Sequence, residues 1–183
     1  MHELTELIRQ DMRPALGVTE PAAIAFSVAT ARRHAPGIVR RVTLRLNSGI
    51  YKNAFTCGIP FSDELGNCHA AALGAVAADP EKGLECLKGI SPEQAESARA
   101  MVKAGKIRVE MSEISSRIFI EATVEAEGGS ACVTIRDAHT EIVKITENGH
   151  TVFEKESAEP SGEESGALIH SYTLEQLHDY ALS

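Results

Sequence analysis

The stretch LGVTEPAAIAF, residues 16–26, joins a glycine-containing bend to the start of an apolar helix. Thr19 is predicted as the helix N-cap, with Glu20 and a proline in the first turn, an order typical of helix starts. The small apolar residues that follow predict a helix over residues 20–34. A helix N-terminus presents unpaired backbone N–H groups that attract an anion. The bend itself carries Val18, a side chain without acid–base or ligand chemistry.

The composition fits a domain with an aliphatic core. Of 183 residues, 43% are hydrophobic but only 4% are aromatic, so Ala, Val, Ile and Leu must fill the interior. A net charge of -8 and the lack of a Lys/Arg stripe argue against a nucleic-acid partner. We expect no membrane partner either, since no apolar run reaches the length of a bilayer span. The amino-terminal residues are acidic and lack the apolar core of a signal peptide, which predicts a cytoplasmic location.

The hydrophobic period changes from helical to alternating along the chain. Helices are predicted first, at 2–12, 20–34, 66–78, 80–88 and 91–104. After residue 105 the pattern alternates in short strands, and Gly128-Gly129 and Asn148-Gly149 predict hairpins between neighbours. Short connections make the sheet mainly antiparallel. The sequence therefore predicts an α+β fold with helices packed on one face of the sheet.

The carboxy-terminal residues differ in composition from the rest. The segment EKESAEPSGEESG, residues 154–166, is acidic and rich in Ser, Gly and Pro, which is typical of a flexible linker. We predict an α+β domain over residues 1–156, a linker over 157–171 and the start of a second helical region over 172–183. A helix this short rarely folds alone. It either docks on the domain or opens a longer region.

The four cysteines do not predict a metal site. They are Cys57, Cys68, Cys86 and Cys132. No two form a CxxC pair, and no Cys/His spacing matches a structural zinc site. Cys68-His69 with Cys57 upstream comes nearest to a ligand set. A free cysteine more often behaves as a small buried hydrophobe, and we favour that interpretation.

Four segments of the chain resemble one known family. They are RPALGVTEPAAIAF (13–26), SGIYKNAFTCGIP (48–60), AAALGAVAADPEKGLECLKGISPEQ (70–94) and AHTEIVKITENGHTVFEKE (138–156). Together they are similar to the amino-terminal half of the L-cysteine desulfidase family, which is related to the α chain of bacterial iron–sulfur L-serine dehydratases. The resemblance implies a lyase that uses a [4Fe–4S] cluster to eliminate sulfide or water from a small amino acid. The resulting enamine hydrolyses to pyruvate and ammonia.

Two departures from that family bear on activity. The family's bend reads Gly-Cys-Thr-Glu-Pro, with a catalytic cysteine where this chain has Val18. A valine cannot act as thiolate, base or ligand. The family's cluster cysteines lie in the carboxy-terminal half, and none of the four cysteines here is at a matching position. The resemblance thus implies a [4Fe–4S] cluster only in full-length family members, and no cofactor in this chain alone.

The resemblance also implies a substrate-binding set of polar residues drawn from three segments. They are Thr19, Glu20, Tyr51, Lys52, Asn53, His139 and Thr140. Each group has a structural alternative. The first two are equally suited to capping a helix, and the Tyr-Lys-Asn run, placed after a strand at Ser48-Gly49, equally fits a surface turn. His139 and Thr140 start a strand and fit an interstrand hydrogen bond. Lys52 is suited to a substrate carboxylate, and Asn53 to an amine or a carboxylate.

Two functional classes follow. In the first, the chain is the amino-terminal part of an iron–sulfur-dependent L-cysteine desulfidase or L-serine dehydratase-like lyase. It is inactive alone and is completed by a missing carboxy-terminal half. In the second, it is a stand-alone, non-catalytic domain that binds a small amino acid, such as L-cysteine or L-serine, or a protein partner. Val18 favours the second class, and the sequence of the last residues favours the first.

Overall fold

The computed structural model divides the chain into two compact units. One comprises Pro14–Lys155, and the other comprises Met1–Arg13 together with Glu156–Ser183. The residues that the structure describes are 2–12, 14–115, 117–155 and 168–182. Most of the predicted linker, residues 157–167, lies outside them.

Helices, with one strand among them, occupy the chain up to residue 103, and consecutive strands follow from residue 107, as the hydrophobic period predicts. The helices are α1 (Glu3–Asp11), α2 (Thr19–Arg33), α3 (Ser48–Phe55), α4 (Gly66–Val76), α5 (Pro92–Lys103) and α6 (Leu174–Leu182), with a 3₁₀ helix at Pro80–Glu85. The strands are β1 (Val39–Leu46), β2 (Ile107–Met111), β3 (Phe119–Ala126), β4 (Gly129–Arg136), β5 (Ile142–Glu147) and β6 (His150–Glu154).

The strands form one sheet in the order β2-β1-β3-β4-β5-β6. Every pair is antiparallel except β1 with β2, so the predicted mainly antiparallel α+β fold is confirmed. Alternate residues of β1 (Val42, Leu44 and Leu46) are fully buried in the core shared with α2 and α4. The opposite face carries polar pairs such as Arg45 with Glu121, whose side chains lie 3.0 Å apart. Helices thus cover one face of the sheet.

Local signals in the sequence correctly predict several turns and caps. Asn148 and Gly149 have φ values of 50° and 82°, as a two-residue hairpin between β5 and β6 requires. Ser91 and Gln94 form a reciprocal capping box at the start of α5, with hydrogen bonds of 2.9 and 3.3 Å. The other predicted hairpin joins β3 to β4.

The two central helices, α2 and α4, pack in unusually close contact. A Cβ atom added at Gly74 would lie 2.6 Å from the carbonyl oxygen of Ala25 and 3.0 Å from Val28 Cβ. At the far end, Arg33 of α2 lies 3.4 Å from the carboxylate of Asp79, just beyond α4. The residue numbers increase in the same direction in both helices, from the contact of Ala25 with Gly74 to that of Arg33 with Asp79, so the helices run parallel. Their N-termini therefore lie at the same end of the layer.

The predicted strand at Ser48-Gly49 is wrong, and so is the surface-turn alternative for Tyr51, Lys52 and Asn53, because all of these residues lie in α3. Asn47, between β1 and α3, has a buried side chain that donates to the Ser115 carbonyl at 2.8 Å and accepts from the Phe119 N–H at 3.1 Å. These bonds to the segment after β2 divert the chain, and a helix begins at the next residue. The partners of Asn47 are about 70 positions away in sequence, beyond the reach of local pattern.

The prediction that Thr19 is the N-cap of α2 is also wrong. Val18 occupies that position with extended backbone angles and provides no side-chain hydrogen bond to the helix. Thr19 is the first helical residue, which frees its hydroxyl for other partners. The first turn of α2 is therefore left without the side-chain cap that a threonine usually supplies.

In the smaller unit, α1 and α6 contact each other through aromatic and polar side chains. The hydroxyl groups of Thr5 and Tyr180 lie 2.7 Å apart, and the His2 and Tyr180 rings lie 4.7 Å apart between centroids. The Tyr172 hydroxyl donates to Glu3. The predicted carboxy-terminal helix is confirmed and has a partner in the first helix of the chain.

We predict that Gly74→Ala destabilises the chain by about 1–3 kcal/mol, since the added methyl meets backbone atoms that must shift. Urea unfolding followed by circular dichroism measures the change. Gly58→Ala is the matched control: its Cβ would meet only Leu65 Cδ2, at 4.0 Å, so we expect a change within about 0.5 kcal/mol. Equal effects of the two substitutions would contradict the close packing of α2 and α4.

Candidate functional site

Four of the seven predicted site residues meet at the N-terminus of α2. Asn53 Nδ2 donates to Glu20 Oε1 at 2.9 Å, and the Thr19 hydroxyl lies 3.3 Å from Glu20 Oε2. The same hydroxyl lies 3.4 Å from His139 Nε2. We refer to Thr19, Glu20, Asn53 and His139 as the Glu20 cluster. It draws on α2, α3 and the connection between β4 and β5.

The protonation states of the Glu20 cluster are set by its own contacts. Burial by itself raises the pKa of Glu20. The hydrogen bond from Asn53, a backbone hydrogen bond, the charge of His139 and the bond from Thr19 outweigh burial and bring the pKa below its ordinary 4.5. Burial lowers the pKa of His139 below its ordinary 6.5, partly offset by the charge of Glu20. At neutral pH the cluster thus pairs an ionised carboxylate with a neutral imidazole.

The other three predicted residues lie nearby without joining the cluster. The Tyr51 ring stacks on Phe55, with 6.0 Å between centroids. Lys52 is exposed on α3 and, among the described residues, forms no hydrogen bond or ion pair. Thr140 follows His139 and faces the 3₁₀ helix, where its methyl group would lie 3.9 Å from a Cβ added at Gly83. Lys52 is the one with a free charge to offer a ligand.

Asn67, in the first turn of α4, is a candidate that sequence reasoning missed. Its side chain is only 4% exposed, and Nδ2 donates to the Tyr51 carbonyl at 3.2 Å. Within the described parts of the chain, its Oδ1 has no hydrogen-bond partner. A buried acceptor left unpaired is costly, so this oxygen is suited to a donor brought by a ligand. The available signal was an amide at the start of the otherwise small-residue helix GNCHAAALGAVAA.

The cysteines of this chain do not fit a [4Fe–4S] ligand set, which takes thiolates from several converging cysteines. Burial raises the pKa of Cys86 to about 12, and burial also raises the pKa of Cys68 and Cys132. The Cys57 thiol contacts a residue of the Glu20 cluster, since it donates to the Asn53 carbonyl at 2.6 Å. In the part of the chain that the structure describes, no three His, Cys, Asp or Glu side chains converge to hold a metal ion.

Comparison with known proteins places the chain beside longer relatives. It is 38% identical over 155 residues to a UPF0597 protein of Yersinia enterocolitica, a match that covers 85% of this chain and 35% of the relative. It is 36% identical over 154 residues to a UPF0597 protein of Clostridium botulinum strain Okra, covering 84% and 36%, and 32% identical over 174 residues to one of strain Hall, covering 95% and 40%. The chain thus spans little more than a third of the length of these curated relatives.

No protein-family model matches the chain. Across the described residues, every helix is too short or too polar to cross a bilayer.

We predict that an NMR titration gives His139 a pKa below 6.5, and a lower one still in Glu20→Gln, because that substitution removes the charge that favours imidazolium. Glu125→Gln, on the exposed face of β3, is the control and leaves the value unchanged. The lowered pKa values of His139 and Glu20 both favour the deprotonated forms in the folded state. The stabilisation from His139 is therefore fully present above pH 6.5, and that from Glu20 above pH 4.5. Each is lost as the pH falls through the lowered pKa of the group in the folded state. The same His139 pKa in the wild type and in Glu20→Gln would show that the two side chains do not interact.

Proposed function

We propose that this chain is the amino-terminal part of an iron–sulfur-dependent L-cysteine desulfidase or L-serine dehydratase-like lyase, located in the cytoplasm and inactive alone. The observation that carries the proposal is the meeting of Thr19, Glu20, Asn53 and His139 at one helix N-terminus. These residues come from three of the four segments that resemble the L-cysteine desulfidase family. The similarity to relatives of greater length supports a larger whole.

The Glu20 cluster offers complementary groups to a small amino acid. The ionised carboxylate of Glu20 suits the substrate ammonium, and Asn53 holds that carboxylate in place at 2.9 Å. The positive end of the α2 helix dipole and the charge of Lys52 suit the α-carboxylate. Binding by both ends of the amino acid would leave its α-carbon between them.

Elimination needs a group that removes the α-proton and assistance to the leaving β-substituent. His139 is assigned the first role, because its lowered pKa keeps the imidazole neutral and ready to accept a proton at neutral pH. Glu20 stabilises the imidazolium that results, as its charge already does in the free protein. For the leaving group, the described residues of the Glu20 cluster provide no comparable group. Val18, 44% exposed at the bend, offers no thiol, and the cysteines do not fit a cluster ligand set.

Val18 supports a second candidate function, a non-catalytic domain that binds L-cysteine or L-serine. The Glu20 cluster beside the bend brings a carboxylate, an amide and an imidazole together, while the reactive position is aliphatic. Isothermal titration of the chain alone with either amino acid tests this candidate. It predicts saturable binding that Glu20→Gln weakens at least tenfold, whereas Glu125→Gln does not.

We predict no sulfide or pyruvate release from L-cysteine or L-serine by the chain alone. Activity is expected when the chain is co-expressed with the part of the Yersinia enterocolitica relative that it does not match, after anaerobic reconstitution with iron and sulfide. In that assembly His139→Gln should lower kcat about 10²-fold or more, since a general base contributes roughly 10²- to 10⁴-fold. His150→Gln, exposed on β6, is the matched control.

The comparison of wild-type chain and Val18→Cys in that assembly separates the two functional classes. Turnover by the assembly that contains the wild-type chain supports the lyase. Turnover that occurs only in the assembly containing Val18→Cys indicates a domain that has lost its catalytic thiol. Turnover by the unaided chain, or equal kcat for wild type and His139→Gln, would reject the proposed division of roles.

A further inference from the structure

The Thr19 hydroxyl lies between the two titratable groups of the Glu20 cluster. Its Oγ1 atom is 3.3 Å from Glu20 Oε2 and 3.4 Å from His139 Nε2. The other carboxylate oxygen, Glu20 Oε1, accepts from Asn53 Nδ2 at 2.9 Å. Because Val18 and not Thr19 is the N-cap of α2, the hydroxyl is not engaged in capping the helix. Thr19 therefore connects the carboxylate to the imidazole.

The ionised carboxylate of Glu20 sets the direction of the first of these hydrogen bonds. A carboxylate without a proton can only accept, and the contacts of Glu20 hold its pKa below the ordinary 4.5. At neutral pH the Thr19 hydroxyl is therefore the donor to Glu20 Oε2. A hydroxyl carries a single proton, so Thr19 has only oxygen lone pairs left to offer His139.

This direction determines which nitrogen of His139 carries the ring proton. A neutral imidazole has one N–H group and one lone pair, and the nitrogen that faces an acceptor keeps the proton. Nε2 faces the Thr19 oxygen, so Nε2 is the donor. The lone pair is then on Nδ1. Across the described residues, Nε2 is the ring nitrogen that makes a hydrogen bond, and Nδ1 is left to a ligand.

We propose that Thr19 is a positioning residue: it holds His139 in the Nε2–H tautomer and leaves Nδ1 as the nitrogen that accepts the α-proton. This inference rests on the proposed function. The α-proton would bond to the Nδ1 lone pair. The electron pair of the broken C–H bond would form the carbon–carbon double bond of the enamine, as the β-substituent leaves with its own bonding pair. The substrate α-carbon must then approach Nδ1, the ring nitrogen nearer the backbone.

Long-range proton–nitrogen NMR correlation spectra of the labelled full chain, recorded above the pKa of His139, report the tautomer directly. For the wild type we expect a protonated Nε2, an unprotonated Nδ1 and an Nε2–H resonance protected from exchange with water. Thr19→Val removes the acceptor and keeps the shape of the side chain. We expect that resonance to be lost and the two nitrogen shifts to move toward each other. Thr19→Ser keeps the hydroxyl and should restore the wild-type spectrum.

Glu20→Gln tests the same hydrogen-bond chain from its other end. Its amide can present either an acceptor or a donor to Thr19, so the direction of the hydroxyl is no longer fixed. We expect the nitrogen shifts of His139 to move as they do in Thr19→Val. Thr151→Val, on the exposed strand β6, is the matched control and leaves the His139 spectrum unchanged. Circular dichroism verifies that each variant folds.

A wild-type ring protonated at Nδ1 would overturn the inference. So would a His139 spectrum that neither Thr19→Val nor Glu20→Gln alters. These outcomes are read on the chain alone and do not depend on turnover.

Turnover separates this inference from the proposed function. In the reconstituted assembly with the unmatched part of the Yersinia enterocolitica relative, Thr19→Val should lower kcat about tenfold or more, because the group that fixes the tautomer of a catalytic histidine supports its proton transfer. Thr19→Ser should restore kcat. An unaltered kcat in Thr19→Val would reject the positioning role and leave the proposed function intact. The expected spectra without turnover by any assembly would support the tautomer and reject the proposed function.

Discussion

The contact between Gly74 and the backbone of Ala25 is the constraint on which the rest of the larger unit depends. A side chain at Gly74 would meet a carbonyl oxygen at 2.6 Å, so only glycine lets α2 and α4 approach so closely. Alanines of both helices fill the remaining interface, and the buried residues of β1, β3 and β4 pack beneath them. Because the helices run parallel, their N-termini share one end of the layer. α3 lies at that end, hydrogen-bonded to α2 through Asn53 and to α4 through the Tyr51 carbonyl.

This arrangement concentrates polar groups that the aliphatic core could not accept. The carboxylate of Glu20 stays ionised because Asn53, the backbone and Thr19 offset its partial burial. His139 approaches from the β4–β5 connection and stays neutral, because partial burial outweighs the attraction of that carboxylate. A fixed anion beside a neutral base is a suitable arrangement for binding an amino acid and accepting its proton. Val18 is the conspicuous exception: the bend is present, and its side chain is chemically inert.

Sequence alone predicts those features that neighbouring residues determine. The Asn148-Gly149 turn, the Ser91–Gln94 capping box and the strand alternation all depend on contacts within a few positions. By contrast, the side chain of Asn47, at the point where the chain passes from β1 into α3, bonds to residues 68 and 72 positions later. Such distant contacts leave no local pattern, so the sequence does not predict a helix over residues 51–53. The family resemblance singled out seven residues, and four of them meet in the Glu20 cluster. That these four meet while Tyr51, Lys52 and Thr140 lie outside depends on helix directions that no local pattern contains.

The Glu20 cluster depends on the larger unit bringing Glu20 of α2 and Asn53 of α3 together. A double-mutant cycle tests it most directly, with unfolding free energies of the wild type, Glu20→Ala, Asn53→Ala and the double variant measured at pH 7. We predict a coupling energy of about 0.5–1 kcal/mol, at the low end of the range for residues in contact, because solvent screens this exposed hydrogen bond. Effects that add to within about 0.3 kcal/mol would show that the two side chains do not meet, and would contradict the account.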